Sequence, residues 1–258
     1  MELLIERKKV SSALGKSNLP GLDYTLNPYI GCSHGCIYCY ARLYSDPRIR
    51  DNWGKIVVVK ENIVDVLAKE VRRKKKGIVG LSTITDAYQR IEAKEGITRE
   101  ILRILLESNF RTSIQTKSSL VLRDLDLLIS KLEIVDVGFT ITTLEDSVAK
   151  VIEPGASPPS ERVEALEKIS AEGIKTWIFL GPIIPGVSEE SFSEIVEIAK
   201  ATKSLLYYDK YRTKPFMSGK AKEFAESAKK IDWKVVSDKI ERLCRSKGVE
   251  IAKAFDDL

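Results

Sequence analysis

Three of the four cysteines of this chain, Cys32, Cys36 and Cys39, lie within a stretch of eight residues. Thiolates packed this closely usually share a metal centre, because soft sulfur ligands suit zinc and iron–sulfur clusters. A cluster that only transfers electrons takes four cysteine ligands. Three thiolates would leave one iron open to a further ligand, and an open coordination position distinguishes a reactive metal site from a closed structural one.

Two other assignments of these cysteines stay open on the residues alone. The three thiols with His34 or Cys244 would complete a tetrahedral zinc site. Cys244 would alternatively supply the fourth ligand of an electron-transfer cluster. Either assignment makes the chain a non-enzymatic zinc or iron–sulfur binding module. Cys244 lies beside the apolar stripe of a predicted helix, where a small buried hydrophobic side chain is the simpler interpretation.

The spacing of the cysteines, with Tyr38 directly before the last of them, resembles the Cys-x3-Cys-x-aromatic-Cys motif of the radical S-adenosylmethionine (SAM) superfamily. Further segments resemble the spore photoproduct lyase-like branch, which includes proteins labelled DNA repair photolyase, and they follow in the same order. The resemblance covers roughly residues 24 to 186. The matching segments are TITDAYQ at 83–89, QTKS at 115–118, RDLD at 123–126, Glu153-Pro154 and GPIIPG at 181–186.

This resemblance implies a 4Fe–4S cluster held by Cys32, Cys36 and Cys39, with SAM chelating the open iron through its amino and carboxylate groups. The reduced cluster of such enzymes cleaves SAM to a 5′-deoxyadenosyl radical, which abstracts hydrogen from a substrate. The resemblance also implies an electron donor such as a ferredoxin or flavodoxin. The cofactor supplies the difficult bond cleavage, and the protein orients it.

The matched motifs end predicted strands, where α/β barrels carry their reactive groups. In the family, the segment that ends the second strand contacts the amino group of SAM, and a lysine that ends the third strand contacts SAM, where its ammonium would neutralise the carboxylate. The end of the fourth strand contacts the ribose. These roles fall on Thr83, Thr85 and Asp86, on Lys117, and on Thr140 and Thr142, respectively.

Five further side chains are candidates for SAM binding. The planar guanidinium of Arg162 suits a carboxylate, although Arg162 and Glu153 would each equally suit a surface ion pair with some other residue. The flat rings of Tyr38 and Tyr40 favour stacking on adenine. The turn that ends the fifth strand is expected to place Ile184 against the adenine ring.

The substrate is the least determined part of the sequence. Spore photoproduct lyases use a cysteine near the end of the second strand as a hydrogen donor, whereas residues 82–85 of this chain read STIT and carry no thiol. Repair of spore photoproduct is therefore not expected. A nucleic acid is favoured over a protein or a metabolite, because cations beside tyrosines hold a phosphate backbone and stack bases. The candidate substrate contacts are Tyr88, Gln89, Tyr208, Lys210 and Arg212.

The elements that must position these residues alternate between strands and helices. Short connections between them indicate right-handed crossovers and a parallel sheet. Six such units fall short of the eight that close a TIM barrel. An open doubly wound sheet fits the periodicity equally well, but the resemblance selects an α/β fold with a partial (β/α)6 TIM-like barrel of the radical SAM type. The predicted strands span residues 24–30, 78–82, 112–116, 134–142, 174–180 and 204–208.

Two of the predicted strands have a polar face. A parallel strand that is buried on both sides is normally apolar on both faces. The third predicted strand instead carries Ser113, Gln115 and Lys117 on one face, and the fourth carries Asp136 and Thr140. These faces predict a sheet that lines a wet, ligand-holding cavity.

The chain is divided into an N-terminal arm at 1–23, the partial barrel at 24–210 and a C-terminal helical extension packed on the core at 211–258. No apolar run approaches the roughly 20 residues that span a bilayer, and clustered cysteines argue for a reducing compartment. The protein is therefore expected in the cytoplasm, with no membrane partner.

The net charge of +5 at pH 7 is mild, so that it permits a polyanionic partner without requiring one. The basic run at residues 72–76 is interpreted as a solvated helix end, where cations lie against the negative end of the helix dipole. A phosphate-binding patch is the less favoured interpretation of the same run.

Overall fold

The structure, a computed structural model, describes residues 3–255. Eleven strands are described in this range, and they form two sheets. The strands are β1 (Leu4–Lys8), β2 (Gly15–Lys16), β3 (Tyr24–Leu26), β4 (Tyr29–Ile30), β5 (Ile56–Lys60), β6 (Ile78–Leu81), β7 (Arg111–Thr116), β8 (Val135–Thr140), β9 (Lys175–Ile183), β10 (Leu205–Lys210) and β11 (Ile251–Lys253).

Within residues 3–255 the two sheets contain nine pairs of hydrogen-bonded neighbouring strands. The larger sheet has eight strands in the order β11-β10-β9-β8-β7-β6-β3-β2, and all of its neighbours are parallel except β2 and β3. The smaller sheet has the order β1-β5-β4.

Helices connect the strands and cover the outer face of the larger sheet. The α-helices are α1 (Pro47–Asp51), α2 (Ile63–Glu70), α3 (Glu92–Glu95), α4 (Ile97–Glu107), α5 (Leu125–Ile129), α6 (Asp146–Ile152), α7 (Pro159–Ala171), α8 (Phe192–Ala201), α9 (Gly219–Ala228) and α10 (Trp233–Lys247). Short 3-10 helices span Tyr40–Tyr44, Ser119–Asp124, Leu132–Ile134 and Ser188–Ser191.

The predicted partial barrel is confirmed. Five of the six predicted core strands correspond to β6, β7, β8, β9 and β10, which are parallel neighbours in sequence order. The first predicted strand, at residues 24–30, is divided into β3 and β4, which join different sheets. The division falls at Asn27-Pro28, where proline has no N–H to donate to a sheet.

The two ends of the chain differ from the sequence-based description. The predicted arm contains β1, which pairs with β5 in parallel register, and β2, which pairs with β3. The predicted helical extension contains β11, which pairs with β10. Unpaired backbone groups at a sheet edge favour the addition of such strands. Residues 1–2 and 256–258 of the two predicted segments lie outside the described residues.

The apolar core lies between the larger sheet and its helices. In α4, for example, Ile101, Leu102 and Leu105 are buried, as their helical spacing requires. At α10 the side chain of Asp232 accepts hydrogen bonds from the first backbone N–H groups, and the helix ends at Gly248 with a φ of 71°. Among residues 3–255, no helix is both long and apolar enough to cross a bilayer.

A cavity of about 1100 Å³ follows the inner face of the larger sheet. Alternate residues of the strands face it, including Gln115 of β7, Thr140 of β8 and Trp177 of β9. Gly138 is required beside Trp177, because a Cβ at this position would lie 2.1 Å from the indole ring. The cavity therefore lies where the polar strand faces predicted it.

Candidate functional site

The cysteine loop, residues 31–39, follows β4 and lies at the mouth of the cavity. Gly31 has a φ of 80°, and a Cβ there would lie 2.5 Å from the carbonyl oxygen of Ile56, so glycine is required. Two backbone hydrogen bonds, from Gly35 to Cys32 and from Cys39 to Cys36, fold the loop into consecutive turns. As a result, the side chains of all three cysteines line the same cavity.

Two side chains that follow β6 hold the backbone on both sides of Cys32. The hydroxyl of Thr85 donates to the carbonyl oxygen of Gly31 at 2.6 Å. The side-chain oxygen of Gln89 accepts from the backbone N–H of Ser33 at 2.7 Å, and its amide donates to the Thr85 hydroxyl at 3.1 Å. Both side chains are buried. The position of the Cys32 backbone is therefore set by the motif at residues 83–89.

Asp86 joins the ends of two strands beneath the cysteine loop. Its carboxylate accepts hydrogen bonds from the Thr116 hydroxyl and from the backbone N–H of Lys117, each at 2.8 Å. Its Oδ2 also lies 3.4 Å from Nδ1 of the buried His34. Burial lowers the pKa of His34, which keeps its imidazole neutral near pH 7.

A buried ion pair between Glu153 and Arg162 lies behind the cysteine loop. Arg162 also donates to the carbonyl oxygens of Ser157 at 2.7 Å and Thr140 at 3.0 Å. The hydroxyl of Tyr38 donates to Glu153. Burial by itself would raise the pKa of Glu153, but Arg162, Lys117 and the Tyr38 hydroxyl together outweigh it, so that this pKa lies below its ordinary value.

The structure brings together most, but not all, of the residues singled out in the sequence. Lys117 ends β7 at the cavity, with its Nζ 5.9 Å from the centre of the Tyr38 ring. Tyr40 donates to the carbonyl oxygen of Thr83 across the mouth. The predicted site residues that line the cavity are Cys32, Cys36, Cys39, Tyr38, Tyr40, Thr83, Thr85, Asp86, Lys117, Thr140, Lys210 and Arg212.

Four predicted SAM contacts lie outside the cavity lining. The carboxylate that Arg162 binds is that of Glu153 within the chain, so neither side chain is at the surface as an ion pair or free for a ligand. The hydroxyl of Thr142 donates to the same carboxylate at 3.3 Å. Ile184 is fully buried and packs in a small apolar cluster with Tyr38. These residues support the cysteine loop from behind.

Three predicted substrate contacts also lie away from the cavity. Tyr88 is fully buried, and its hydroxyl donates to Asp124 at 3.1 Å. Gln89 is fully buried in its contacts with the cysteine loop. Tyr208 points to the opposite side of β10, where its hydroxyl donates to Glu241 of α10. Because side chains alternate along a strand, Tyr207 lines the cavity in its place.

Sequence reasoning missed the aromatic wall of the cavity. Trp177 and Phe179 of β9 line it with Tyr207 of β10, and the Trp177 and Tyr207 rings meet edge to face at 5.7 Å. It also missed Asn27, whose side chain donates to the Thr83 hydroxyl at 3.0 Å and accepts from the Ile84 N–H at 2.9 Å. The period of two along β9 would have identified the wall, because these aromatic residues share one face.

The side chains at the loop fit an iron–sulfur cluster with an open iron. Three thiols face one cavity, whereas Cys244 is fully buried in the main core and burial raises the pKa of its thiol to about 11. Within residues 3–255, no three His, Cys, Asp or Glu side chains are placed to hold a single ion. Cysteines that hold an iron–sulfur cluster bind separate irons, so their sulfur atoms need not meet at a single ion.

The chain is similar to proteins from archaea and bacteria. It is 34% identical over 231 residues to an uncharacterized protein of Methanocaldococcus jannaschii, covering 90% of this chain and 86% of that protein. It is 33% identical over 173 residues to an uncharacterized protein of Mycobacterium bovis, covering 64% of this chain. The chain spans about half the length of that mycobacterial protein, 51%.

Two groups of solved structures share the fold. A spore photoproduct lyase mutant with bound AdoMet and dinucleoside spore photoproduct has a TM-score of 0.71 and 16% identity, covering 99% of this chain and 82% of that one. SuiB of Streptococcus suis bound to S-adenosylmethionine has a TM-score of 0.56 and 13% identity, covering 89% of this chain and 49% of that one. At these identities the likeness shows the fold.

The family model of the radical SAM superfamily matches residues 26–199, which contain the cysteine loop and the strand-end motifs described above. Enzymes of this family use a 4Fe–4S cluster and SAM. This chain belongs to the radical SAM superfamily and is a radical SAM enzyme.

Proposed function

We propose that this radical SAM enzyme modifies a nucleic acid, which it binds at the mouth of the cavity. The observation that carries the proposal is a group of exposed aromatic rings beside cations at this mouth. Tyr40 and Tyr44 are 44% and 68% exposed and line the cavity, and their rings meet edge to face. Lys214 and Arg212 line the same cavity. Rings and cations in this combination stack bases and hold a phosphate backbone.

The cysteine loop would hold the cluster through Cys32, Cys36 and Cys39. When bound, the cluster and SAM supply a 5′-deoxyadenosyl radical that abstracts hydrogen from the substrate. The ammonium of Lys117 faces the same cavity, where it would neutralise the carboxylate of SAM. The hydroxyl of Thr140 accepts from Gln115 at 3.1 Å, and Thr140 lines the cavity, where it would contact a sugar hydroxyl.

The volume of the cavity supports a substrate in addition to SAM. Pockets for a single ligand occupy roughly 300–1000 Å³, and this cavity has about 1100 Å³. Trp177, Phe179 and Tyr207 provide an apolar wall that would exclude water from a radical. A spore photoproduct lyase structure that shares this fold contains a dinucleoside ligand. A nucleotide is therefore a substrate of suitable size and chemistry.

The substrate is not expected to be spore photoproduct. At the end of β6 the hydroxyl of Ser82 accepts from the backbone N–H of Ala87, and residues 82–85 contain no thiol. Cys244 is fully buried, so it is not placed to donate hydrogen in the cavity. A thiol-dependent lyase reaction would need a donor from outside these residues.

The reaction also needs an electron, for which we propose a ferredoxin or flavodoxin as the donor. We propose that the enzyme is located in the cytoplasm, because its four cysteines are free and free thiols persist in a reducing compartment. A polar low-potential carrier of this kind would reach the cluster from the side of the cysteine loop.

Nucleic-acid-dependent turnover tests the proposal. The reconstituted enzyme is incubated anaerobically with SAM, a reductant and either tRNA, single-stranded DNA, or a peptide and metabolite extract. We expect tRNA or DNA to accelerate release of 5′-deoxyadenosine. Tyr44→Ala should weaken nucleic-acid binding at least about fivefold, because base stacking contributes roughly 1–3 kcal/mol. Val235→Ala on α10, also at an exposed apolar side chain, is the matched control. Acceleration by the extract alone would contradict the proposal.

A further inference from the structure

A cluster of exposed cations lies at the amino-terminal ends of the strands, at the opposite end of the barrel from the cysteine loop. It includes Lys16 of β2, the loop from Arg72 to Lys76 that precedes β6, and Arg111, the first residue of β7. Register pairs Lys16 with Tyr24 and Arg111 with Ile78, so the three segments are neighbours. We call this surface the basic face; it consists of Lys16, Arg72, Arg73, Lys74, Lys75, Lys76 and Arg111.

The carboxylates nearest to the basic face are already engaged. Glu70 accepts from the backbone N–H groups of Ala13 and Leu14, the latter at 2.8 Å. Asp23 accepts from the backbone N–H of Ile78 at 2.7 Å. Engagement with neutral backbone donors leaves the negative charge of each carboxylate in place but holds it in position beside the sheet. The two carboxylates are therefore not free to move with the cationic side chains of the loop and pair with them.

Asp136 of β8, which lines the cavity, also accepts hydrogen bonds from neutral donors. It accepts from the Ser113 hydroxyl at 2.5 Å and from the indole N–H of Trp177 at 2.9 Å, and lies 3.7 Å from Arg111. On the helices, by contrast, several exposed cations are paired with carboxylates, as in Arg103 with Glu100 and Lys168 with Glu164. The seven cations of the basic face therefore outnumber the three carboxylates described beside them, Glu70, Asp23 and Asp136.

The backbone of the loop is held in place by aromatic side chains. The hydroxyl of Tyr24 donates to the carbonyl oxygen of Lys75 at 3.0 Å. The ammonium of Lys74 lies 5.4 Å from the centre of the Tyr24 ring, and that of Lys76 lies 4.4 Å from the centre of the Phe110 ring. These contacts fix the spacing of the cations, which reduces the entropy that ligand binding would cost.

We propose that the basic face binds the phosphodiester backbone of a nucleic acid without reading its bases, and anchors a strand whose target nucleotide enters the cavity at the other end. This inference rests on the proposed function. A membrane surface is less suited, because within residues 3–255 none of the large exposed apolar side chains belongs to the basic face, and interfacial binding buries apolar side chains.

The separation of the two surfaces predicts a dependence on length. β7 has six residues, which extend about 20 Å at roughly 3.3 Å per residue. A duplex rises about 3.4 Å per base pair, so a substrate needs more than about six base pairs to reach from the cavity mouth to the basic face. An oligonucleotide of three nucleotides would engage the mouth alone.

The test compares two variants that remove the same number of charges. The first carries Arg72→Gln, Arg73→Gln and Lys75→Gln; the control carries Arg103→Gln, Lys168→Gln and Lys229→Gln, whose side chains are paired with carboxylates on the helices. Binding of a 30-nucleotide hairpin is followed by anisotropy across a salt series. For duplex contacts, we expect the first variant to lower the slope of log affinity against log salt by about 2.7, or about 0.9 for each lost phosphate contact.

The control should keep the wild-type slope, and both variants should release 5′-deoxyadenosine from SAM at the wild-type rate without nucleic acid. A 30-nucleotide hairpin bound with an unchanged slope by the first variant would overturn the anchor while leaving the proposed function intact. Loss of hairpin binding in the first variant, with no effect of Tyr44→Ala, would support the anchor and contradict the proposed binding at the mouth. Binding to phosphatidylglycerol vesicles, but to no nucleic acid, would overturn both.

Discussion

The side-chain oxygen of Gln89 accepts a hydrogen bond of 2.7 Å from the backbone N–H of Ser33, the residue after Cys32. Its amide group donates to the hydroxyl of Thr85, which in turn donates to the carbonyl oxygen of Gly31. The residues on both sides of the first cysteine are therefore tied to the segment that follows β6. A substitution of Gln89 or Thr85 should therefore change the position of the cysteine loop at the metal site, although neither side chain is a proposed metal ligand.

The first prediction concerns this tie. Gln89→Ala removes a buried acceptor from Ser33 and should destabilise the apoprotein by about 1–3 kcal/mol, because a partly buried backbone N–H loses its partner. It should also lower the iron bound per chain after reconstitution. Urea unfolding and iron analysis measure the two effects. Wild-type iron content in a folded Gln89→Ala variant would show that the hydrogen bond between Gln89 and Ser33 does not position the cysteine loop.

The second prediction concerns the buried pair behind the loop. Arg162→Met leaves the carboxylate of Glu153 buried without its cation, which should cost about 3–5 kcal/mol of unfolding free energy. The double variant Glu153→Leu, Arg162→Met removes both charges and should recover most of this loss. Urea unfolding of the apoproteins gives both values. Equal stabilities for the single and double variants would rule out the coupling.

The third prediction concerns the pH dependence of the same pair. Because Arg162 holds the pKa of Glu153 below its ordinary value of 4.5, the ionised carboxylate stabilises the fold above that value. This contribution should be lost as the pH falls below 4.5 toward the lower folded-state pKa. In Arg162→Met burial should raise this pKa above 4.5, so the dependence should reverse, and the contribution of Glu153 to stability should increase as the pH falls through the raised pKa. Urea unfolding between pH 3 and pH 7 tests the shift; identical pH profiles would contradict it.

The fourth prediction separates two neighbouring tyrosines. Tyr208→Phe removes the hydrogen bond to Glu241 and should cost about 1 kcal/mol of stability without changing turnover, because its ring lies outside the cavity. Tyr207→Ala should change substrate-stimulated release of 5′-deoxyadenosine, because its ring forms part of the cavity wall. A loss of turnover in Tyr208→Phe at wild-type stability would contradict the assignment of Tyr207, rather than Tyr208, to the substrate cavity.

Much of the fold and of the candidate site could be predicted from the sequence, since both depend on local patterns. Apolar runs identified the core strands, and the spacing of Cys32, Cys36 and Cys39 predicted three thiols close together, which line one cavity. The partner of Arg162 could not be predicted, because Glu153 follows α6 and Arg162 lies in α7. The two side chains form their ion pair only through the tertiary packing of these elements. The strand β1 was missed for a similar reason: Leu4–Lys8 has an exposed, charged pattern and is stabilised by pairing with the distant β5.

The role of Tyr208 shows the limit of reasoning from composition. Its neighbours suggested a cluster of tyrosines and cations, but a strand divides such a cluster between two faces. Tyr207 and Asp209 line the cavity, whereas Tyr208 packs toward α10. Predicting which residues of β10 face the cavity would have required its neighbour β9, where Trp177 and Phe179 lie on the inner face.

The central claim, that Cys32, Cys36 and Cys39 hold the cluster while Cys244 does not, is tested most directly by release of 5′-deoxyadenosine from SAM under reductant. Each cysteine is replaced by alanine, and each variant is reconstituted anaerobically. We predict release by the wild type, with about four irons per chain, and by Cys244→Ala, and none by the three loop variants. Release that persists in a loop variant, or is abolished in a folded Cys244→Ala variant, would contradict the account.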